Sequence, residues 1–562
     1  MVNEALRRRV QAWIDGDPDP VDRAELERAL ERGDEPFLLQ RFAGRLSFGT
    51  AGLRGPIGAG PHAMNTAVIR QTCHGLADVL SAGGAEPARG VVIGFDARHR
   101  SSAFALESAA VLRARGFKVF LWDSPGPTPA TSFWVRRLGA LAGIQVTASH
   151  NPPQDNGFKV YWDHAAQIIP PIDDQIAAAI DRHASGPACE LAALPEGHEG
   201  PELAMLGEAQ LAVYLQQVTE GTPATSPTQT PVRVVYTAMH GVGGESVCRV
   251  LQAAGFEVHV VEEQHQPDGR FPTVDFPNPE EDGALDLALA LAKRVSADLV
   301  LANDPDADRL AVAVPDAGGW RLLNGNEIGL LLGDHCLRAH GDEPALVAAS
   351  IVSSQALAAL AARRGHHFVS ALTGFKWIMA ERRRRPDQAF LFGYEEALGY
   401  CVGEAVADKD GVSAALAFAH RTRQLKAEGL TLLEQLEVLY AEIGAFVSSQ
   451  WVQRFEGVAA GQQMAAAVER ARRHAPPQLG AMSLLHRHDF QDGAPWDEAL
   501  SANLIALHYG LGEDELRILI RPSGTEPKVK TYFEYRSAQG VKAAQEALTS
   551  AKAALRQAME DA

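Results

Sequence analysis

The sequence predicts an α/β protein in which three similar mixed α/β domains are followed by a fourth domain of different pattern. Two observations carry this. Strand-like runs alternate with helix-like stretches in an order that recurs three times, and chains of that kind build parallel α/β units. The chain also has 562 residues, too many for one hydrophobic core, so several domains are required. The first copy predicts strands at 91–95, 118–122 and 142–147, with a helix at 102–115. The second predicts strands at 232–236, 257–261 and 299–302, with a glycine turn (Gly241, Gly243, Gly244) and a helix to 254. The third predicts strands at 345–349, 367–370 and 389–392, with a serine turn (Ser350, Ser353, Ser354) and a helix to 364. The likeness is one of pattern rather than residue identity.

Ahead of the first copy, residues 1–46 are charged and helix-like and read as an arm packed on the first domain. Phe48-Gly-Thr-Ala-Gly-Leu-Arg-Gly55 follows, too rich in glycine for regular helix. After the third copy, 412–443 and 462–473 read as helices, 516–520 and 529–535 as strands, and 543–560 as a helix. The expected division is an N-terminal helical arm (1–46), domain 1 (47–200), domain 2 (201–320), domain 3 (321–450) and domain 4 (451–562).

The last strand of each copy runs into a polar loop, and the three loops differ: Ser149-His150-Asn151, Asn303-Asp-Pro-Asp-Ala-Asp-Arg309 and Gly393-Tyr-Glu-Glu-Ala-Leu-Gly399. Equivalent strand ends carrying unlike chemistry point to three domains facing one cleft, since α/β proteins bind ligands at strand ends. Ser149 sits on a loop stiffened by Pro152 and Pro153, which offer no amide hydrogens. A serine alone is a weak nucleophile, and no G-x-S-x-G elbow surrounds this one. Asp304, Asp306 and Asp308 alternate, so an extended segment would turn all three to one side. Carboxylates so close repel unless a cation stands between them, and oxygen ligands suit a hard divalent ion, magnesium above all. The calcium loop of an EF-hand fails, because Arg309 and Pro315 stand where it needs glycine and glutamate.

A metal held by three aspartates and the serine oxygen fits phosphoryl transfer. Lys159 then reads as a proton donor or phosphate clamp, and His150 as a turn histidine or a proton carrier. Glu395 and Glu396 read as acceptors for sugar hydroxyls. Arg521-Pro-Ser-Gly-Thr offers a guanidinium, two hydroxyls and exposed amides, a set that holds phosphate.

The bulk numbers exclude other classes. A composition 46% hydrophobic and 22% charged is that of a soluble globular protein, and a net charge of −18 argues against a nucleic-acid surface. The five cysteines (Cys73, Cys189, Cys248, Cys336, Cys401) are scattered and form no zinc-like pair, which suggests reduced thiols in a cytoplasmic protein. The N-terminus lacks the apolar core of a signal peptide, and no stretch reaches the length of a membrane span. Nothing calls for an obligate protein partner.

Taken together these stretches resemble the α-D-phosphohexomutase superfamily, and within it the phosphoglucomutase- and phosphopentomutase-like branch. Thr147-Ala-Ser-His-Asn-Pro152 resembles the phosphoserine loop, Asp304-Pro-Asp-Ala-Asp-Arg309 the metal loop, Gly393-Tyr-Glu-Glu-Ala-Leu-Gly399 the sugar loop and Arg521-Pro-Ser-Gly-Thr-Glu-Pro527 the phosphate loop. Phe48-Gly-Thr-Ala-Gly-Leu-Arg54 resembles the N-terminal motif, so the likeness runs from about residue 47 onward. The resemblance implies four domains around a central active-site cleft, the fourth an α+β domain.

It further implies Ser149 as the phosphorylated serine and Asp304, Asp306 and Asp308 as magnesium ligands with it. Arg54, His150, Lys159 and Arg309 would support proton transfer and charge. Thr373, Gly374, Lys376 and Glu395 would orient the sugar, and Arg521, Ser523, Gly524 and Thr525 would hold the non-reacting phosphate. The implied activity moves phosphate between C1 and C6 of glucose through glucose 1,6-bisphosphate. Mannose and pentose phosphates are the alternatives, followed by bisphosphate synthesis or a phosphatase. Two departures bear on this. Proline at 305 replaces a glycine of many members, though proline also occurs in the nearest branch. Ala397 replaces a serine that contacts sugar hydroxyls in other branches and leaves pentose phosphates open.

Overall fold

The computed structural model describes residues 2–49, 52–84, 86–184, 203–224, 230–457, 459–523 and 527–560. The arm is three helices, Glu4–Gly16, Pro20–Arg32 and Glu35–Arg41, each started by a side chain of Asn3, Asp19 or Asp34 that accepts a first-turn amide. Their apolar faces make a small core of their own around Val10, Leu26 and Leu38. Arg100, at the head of the helix Ser101–Ala114, ties the arm down by pairing with Asp22 at 2.9 Å and with Asp19.

Three sheets follow, built on one plan. In the first, Asp155–Trp162 lies antiparallel to Ala142–Val146, which lies parallel to Val91–Phe95, which lies parallel to Val119–Trp122. The second repeats the order with Ala311–Asp316, Leu299–Ala302, Arg233–Thr237 and Glu257–Val260. The third does so with Gly399–Val402, Phe390–Glu395, Leu346–Ser350 and His367–Ala371. The repeat of pattern is thus a repeat of topology. The strand–helix alternation predicts the three parallel strands of each sheet. The antiparallel strand returns directly from the polar loop with no helix between; the apolar run 310–314 marks it in the second sheet, and it goes unread in the first and third. Each polar loop is therefore the bend between a buried parallel strand and its antiparallel return.

The fourth sheet is antiparallel throughout, in the order Ala445–Arg454, Lys528–Ser537, Asp514–Pro522, Ile505–Leu511, Met482–Asp489 and Gln478–Leu479, with helices Ala460–Arg473 and Val541–Glu560. Its first strand begins upstream of residue 451. Leu203–Leu206 likewise pairs with Val119–Trp122 of the first sheet, beyond residue 200. Strand pairing across long sequence separation leaves no mark in linker composition. One cluster of buried apolar side chains runs from Leu53 to Phe446 through the first three sheets. The fourth domain has its own, around Leu507, Ile518, Phe533 and Leu548.

Among the described residues no helix is long and apolar enough to cross a membrane. Cys73, Cys248, Cys336 and Cys401 are free and buried, and Cys189 lies outside the described residues.

Candidate active site

Ser149 stands where the strand Ala142–Val146 ends. It is 2% exposed, and its backbone takes the left-handed conformation at φ 52°. Its hydroxyl donates to Asp304 Oδ2 at 2.7 Å and lies 3.2 Å from His150 Nδ1. Asp304 belongs to the second sheet's loop, so the serine meets its partner across two domains.

Asp304, Asp306 and Asp308 are buried, and each offers an oxygen within 4.8 Å of the others. They converge on a turn, with Ala307 at φ 57°, rather than along an extended segment. The convergence predicted from alternation is present, but the bend produces it. The loop is gripped from both flanks. Thr128, at the start of the helix Thr128–Leu138, donates its hydroxyl to Asp306 Oδ2 at 2.6 Å and its amide to Asp306 O at 3.0 Å. On the other side a Cβ at Gly241 would stand 2.5 Å from Pro305, so the glycine turn lets the loop lie close.

Lys159 Nζ donates to Asp306 Oδ2 at 2.6 Å and Asp308 Oδ2 at 2.8 Å. Lys409, which sequence reading missed, lies 3.0 Å from Asp308 Oδ2. Its signal was a charged Asp408-Lys-Asp-Gly411 stretch directly before an apolar helix. Even so, Oδ1 of Asp306 and Oδ1 of Asp308 have no hydrogen-bond partner although buried. Burial, then Asp306 and Asp308, push the Asp304 carboxyl well above the usual range. Two orphaned carboxylate oxygens and one carboxyl whose ionisation burial and its neighbours oppose are what a hard cation with oxygen ligands relieves. The residues fit such an ion.

Charge around the serine is sorted by the same burial. His150 is held far below the usual histidine range by burial, then Arg309 and Arg54, so its imidazole is neutral. Burial works against the Lys159 ammonium, but Asp306 and Asp308 outweigh it and raise the group, so the amine stays charged. Arg309 donates its amide to Asp304 Oδ1 at 3.0 Å and Nη1 to Ala397 O at 2.9 Å, joining the aspartate loop to the loop of Glu395 and Glu396. Arg54 Nη1 donates to Asn151 Oδ1 at 3.2 Å.

In the third polar loop, Glu395 Oε1 accepts the Gly374 amide at 2.8 Å, which holds Thr373, Gly374 and Lys376 beside it. Glu396 takes the Ser350 and Ser353 hydroxyls at 3.3 and 3.4 Å, so the serine turn of the third copy supports it. Lys376 is buried beside Asp173 and Glu395; burial lowers its amine to about 8, and the two carboxylates only partly offset that. Arg521 ends the strand Asp514–Pro522 and pairs in register with Lys530, while the Ser523 amide donates to Lys528 O at 2.8 Å. Lys528 and Lys530 add cationic residues that the motif alone did not mark. Gly524 and Thr525 lie outside the described residues.

Four descriptions from one family match the chain in order. They are phosphoglucomutase/phosphomannomutase alpha/beta/alpha domains I (45–186), II (212–319) and III (324–442) and the C-terminal domain (503–551). A probable phosphomannomutase of Haemophilus influenzae is 39% identical over 479 residues, 84% of this chain and 93% of its own. A phosphopentomutase of Mus musculus is 36% identical over 567 residues, 94% of this chain and 90% of its own. Among solved structures, the open form of parafusin, a phosphoglucomutase from Paramecium, matches with a TM-score of 0.69 at 18% identity, over 93% of this chain and 95% of that one. At that identity the likeness is one of fold.

Proposed function

Because the chain belongs to the phosphoglucomutase/phosphomannomutase family, whose members are isomerases, we propose that it interconverts glucose 1-phosphate and glucose 6-phosphate through a phosphoserine at Ser149 and a glucose 1,6-bisphosphate intermediate. The observation that carries this is the Ser149 hydroxyl 2.7 Å from Asp304, beside three buried carboxylates that converge within 4.8 Å. Asp304, Asp306, Asp308 and the phosphorylated Ser149 would hold magnesium, which supplies positive charge to a phosphoryl group in transfer.

The chain's own residues do the rest. The phosphoserine P–O bond breaks as the sugar hydroxyl forms its own bond to phosphorus; that hydroxyl gives up its proton, and the departing Ser149 Oγ takes one up, so the serine returns to a neutral hydroxyl. Neutral His150, with Nδ1 3.2 Å from Ser149 Oγ, is in reach to take or return a proton there. Lys159, Arg309 and Arg54 supply fixed positive charge. Glu395 and the segment Thr373–Lys376 orient the sugar, while Arg521 and Ser523, with Gly524 and Thr525, grip its resting phosphate. One serine and one grip cannot reach both ends of a sugar in one pose, so the bisphosphate must turn round between transfers.

A second reading is ribose 1-phosphate and its 5-phosphate. Ala397 brings no hydroxyl to the sugar loop, and the mouse phosphopentomutase covers nearly the whole chain. A single turnover tests both. Ser149 is loaded with labelled phosphate and unlabelled glucose 1-phosphate is added. Label should leave in glucose 6-phosphate by way of the bisphosphate, and the substrate's own phosphate should end on Ser149. Release as inorganic phosphate would make the protein a phosphatase, and faster turnover of ribose 1-phosphate would select the second reading.

Arg521→Ala should raise KM about 10- to 100-fold, the loss of a charged hydrogen bond made in ground and transition state alike, with kcat changed far less. Steady-state kinetics at saturating magnesium measure it; an unchanged KM would make the turn structural. A pH effect should arise at Lys376. Its amine, lowered to about 8, is charged below that pH and neutral above, whereas the substrate phosphate is already fully ionised there. KM should therefore rise as pH passes upward through about 8. Lys376→Arg, charged throughout, should flatten that rise; the same inflection in the variant would remove Lys376 from the assignment.

A further inference from the structure

We propose that Arg98 is a positioning residue that fixes Ser149 against the aspartate loop, by clamping the serine loop from behind and locking it to a turn of the second domain. The inference rests on the phosphoserine reading above. Arg98 is 3% exposed. Its Nη2 donates to Ser149 O at 2.5 Å and Asn151 O at 2.6 Å, and its Nη1 to Pro152 O at 2.8 Å and Asp155 O at 3.2 Å. Its Nε stands 3.3 Å from Asp96 Oδ2.

Four carbonyls converging on one side chain need the planar fork of donors that only arginine has; an ammonium presents three donors from one point. The loop needs such a clamp. Ser149 sits in a conformation that side chains other than glycine rarely adopt, and surrounding contacts must impose it. A second path reinforces the first. Thr147 donates its hydroxyl to Asp96 Oδ2 at 2.6 Å and accepts the Ser149 amide at 2.9 Å, so the ion pair also orients the serine from its own strand.

The other face of the guanidinium belongs to the second domain. The Phe271 ring centroid lies 5.0 Å from it, a cation–π contact. In the same turn, a Cβ on Gly269 would fall 2.5 Å from Ala97 O and 2.9 Å from Arg98 Cα. Backbone thus lies on backbone at the clamp. The turn shares its domain with Asp304, Asp306 and Asp308. One side chain therefore touches both the loop that carries the nucleophile and the domain that carries its metal ligands. A shift at this contact changes the gap between Ser149 and Asp304 without touching the sugar or phosphate loops.

The test uses the full chain and three variants: Arg98→Ala, Arg98→Lys and Gly269→Ala. Phosphate uptake at Ser149 from glucose 1,6-bisphosphate, kcat, KM and thermal unfolding are measured on each. A displacement near 1 Å at a reacting group costs on the order of 100-fold in rate, so folded Arg98→Ala should lose about that in kcat and in serine phosphorylation, with KM within about threefold. Free guanidinium should restore about tenfold of the loss in Arg98→Ala and nothing in Ser149→Ala, by refilling the fork. Arg98→Lys should remain slow. Gly269→Ala, made in the other domain, should lower kcat with KM kept.

A folded Arg98→Ala with wild-type kcat, or one that guanidinium does not rescue, overturns the proposal. Should Arg98→Ala fail to fold, Gly269→Ala and Phe271→Leu decide it, and wild-type kcat in both overturns it. A wild-type enzyme never phosphorylated at Ser149 would instead defeat the phosphoserine reading, which keeps the two failures distinct.

Discussion

Ser149→Ala will fold and bind sugar phosphate but will not turn it over. The variant loses the atom to which the phosphoryl group would be bonded in the proposed reaction, and removing a nucleophile costs on the order of 10⁴–10⁶ in kcat. The structural cost is small. Ser149 is 2% exposed and gives one side-chain donor, to Asp304 Oδ2 at 2.7 Å, and one lost buried donor costs about 1–3 kcal/mol. Its clamped backbone contacts do not depend on the hydroxyl. Intact-mass and peptide mass spectrometry should find phosphate on Ser149 of the wild type after incubation with glucose 1,6-bisphosphate, and none on the variant. Turnover by Ser149→Ala within tenfold of wild type would remove the serine from the chemistry.

Asp306→Asn should cost about 10²–10³ in kcat, the usual loss when a charge-stabilising group aimed at a transition state is removed. Asparagine keeps one carbonyl oxygen for the Thr128 hydroxyl and the Lys159 amine, both 2.6 Å from Oδ2. The turn keeps its shape, and the thermal midpoint should move little. What disappears is one negative charge and the acceptor at Oδ1, the orphaned oxygen that would face a bound cation. Excess chelator should silence the wild type in the same way, and magnesium should restore it. Full activity in chelator would contradict the metal assignment of all three aspartates.

The sequence carried unequal amounts of this. The three parallel strands of each domain were legible because apolar runs and turn residues mark them locally. The antiparallel strand Ala311–Asp316 was legible as the apolar run 310–314 after the aspartate turn, whereas Asp155–Trp162 and Gly399–Val402 were not read, since each follows its loop without a helix between. The loops of the candidate site were legible because unlike chemistry stood at equivalent strand ends. The convergence of Asp304, Asp306 and Asp308 was foreseen for the wrong local reason, because alternation says nothing of a left-handed residue at 307. Arg98 and Lys409 stayed hidden. Each stands in a short charged stretch that does not name its partner, and the four carbonyls around one and the Asp308 carboxylate beside the other belong to distant segments. Long-range pairing of that kind has no periodicity to betray it.

The separate core of the fourth domain has a thermal consequence. That domain touches the rest through a small apolar cluster in which Ile351, Val352 and Leu372 meet Phe490, Leu504, Leu519 and Tyr532, and through polar contacts such as Arg517 with Ile351 O and Gln355 with Glu534. Cooperativity follows shared buried surface, so a calorimeter should record two transitions, one for the block that shares a core from Leu53 to Phe446 and one for the last domain. A bisphosphate bound as proposed, with Arg521 at one end and Ser149 at the other, would stabilise only the state in which both blocks are intact. Adding it should draw the two peaks toward one, so that the substrate itself welds the molecule into a single melting unit.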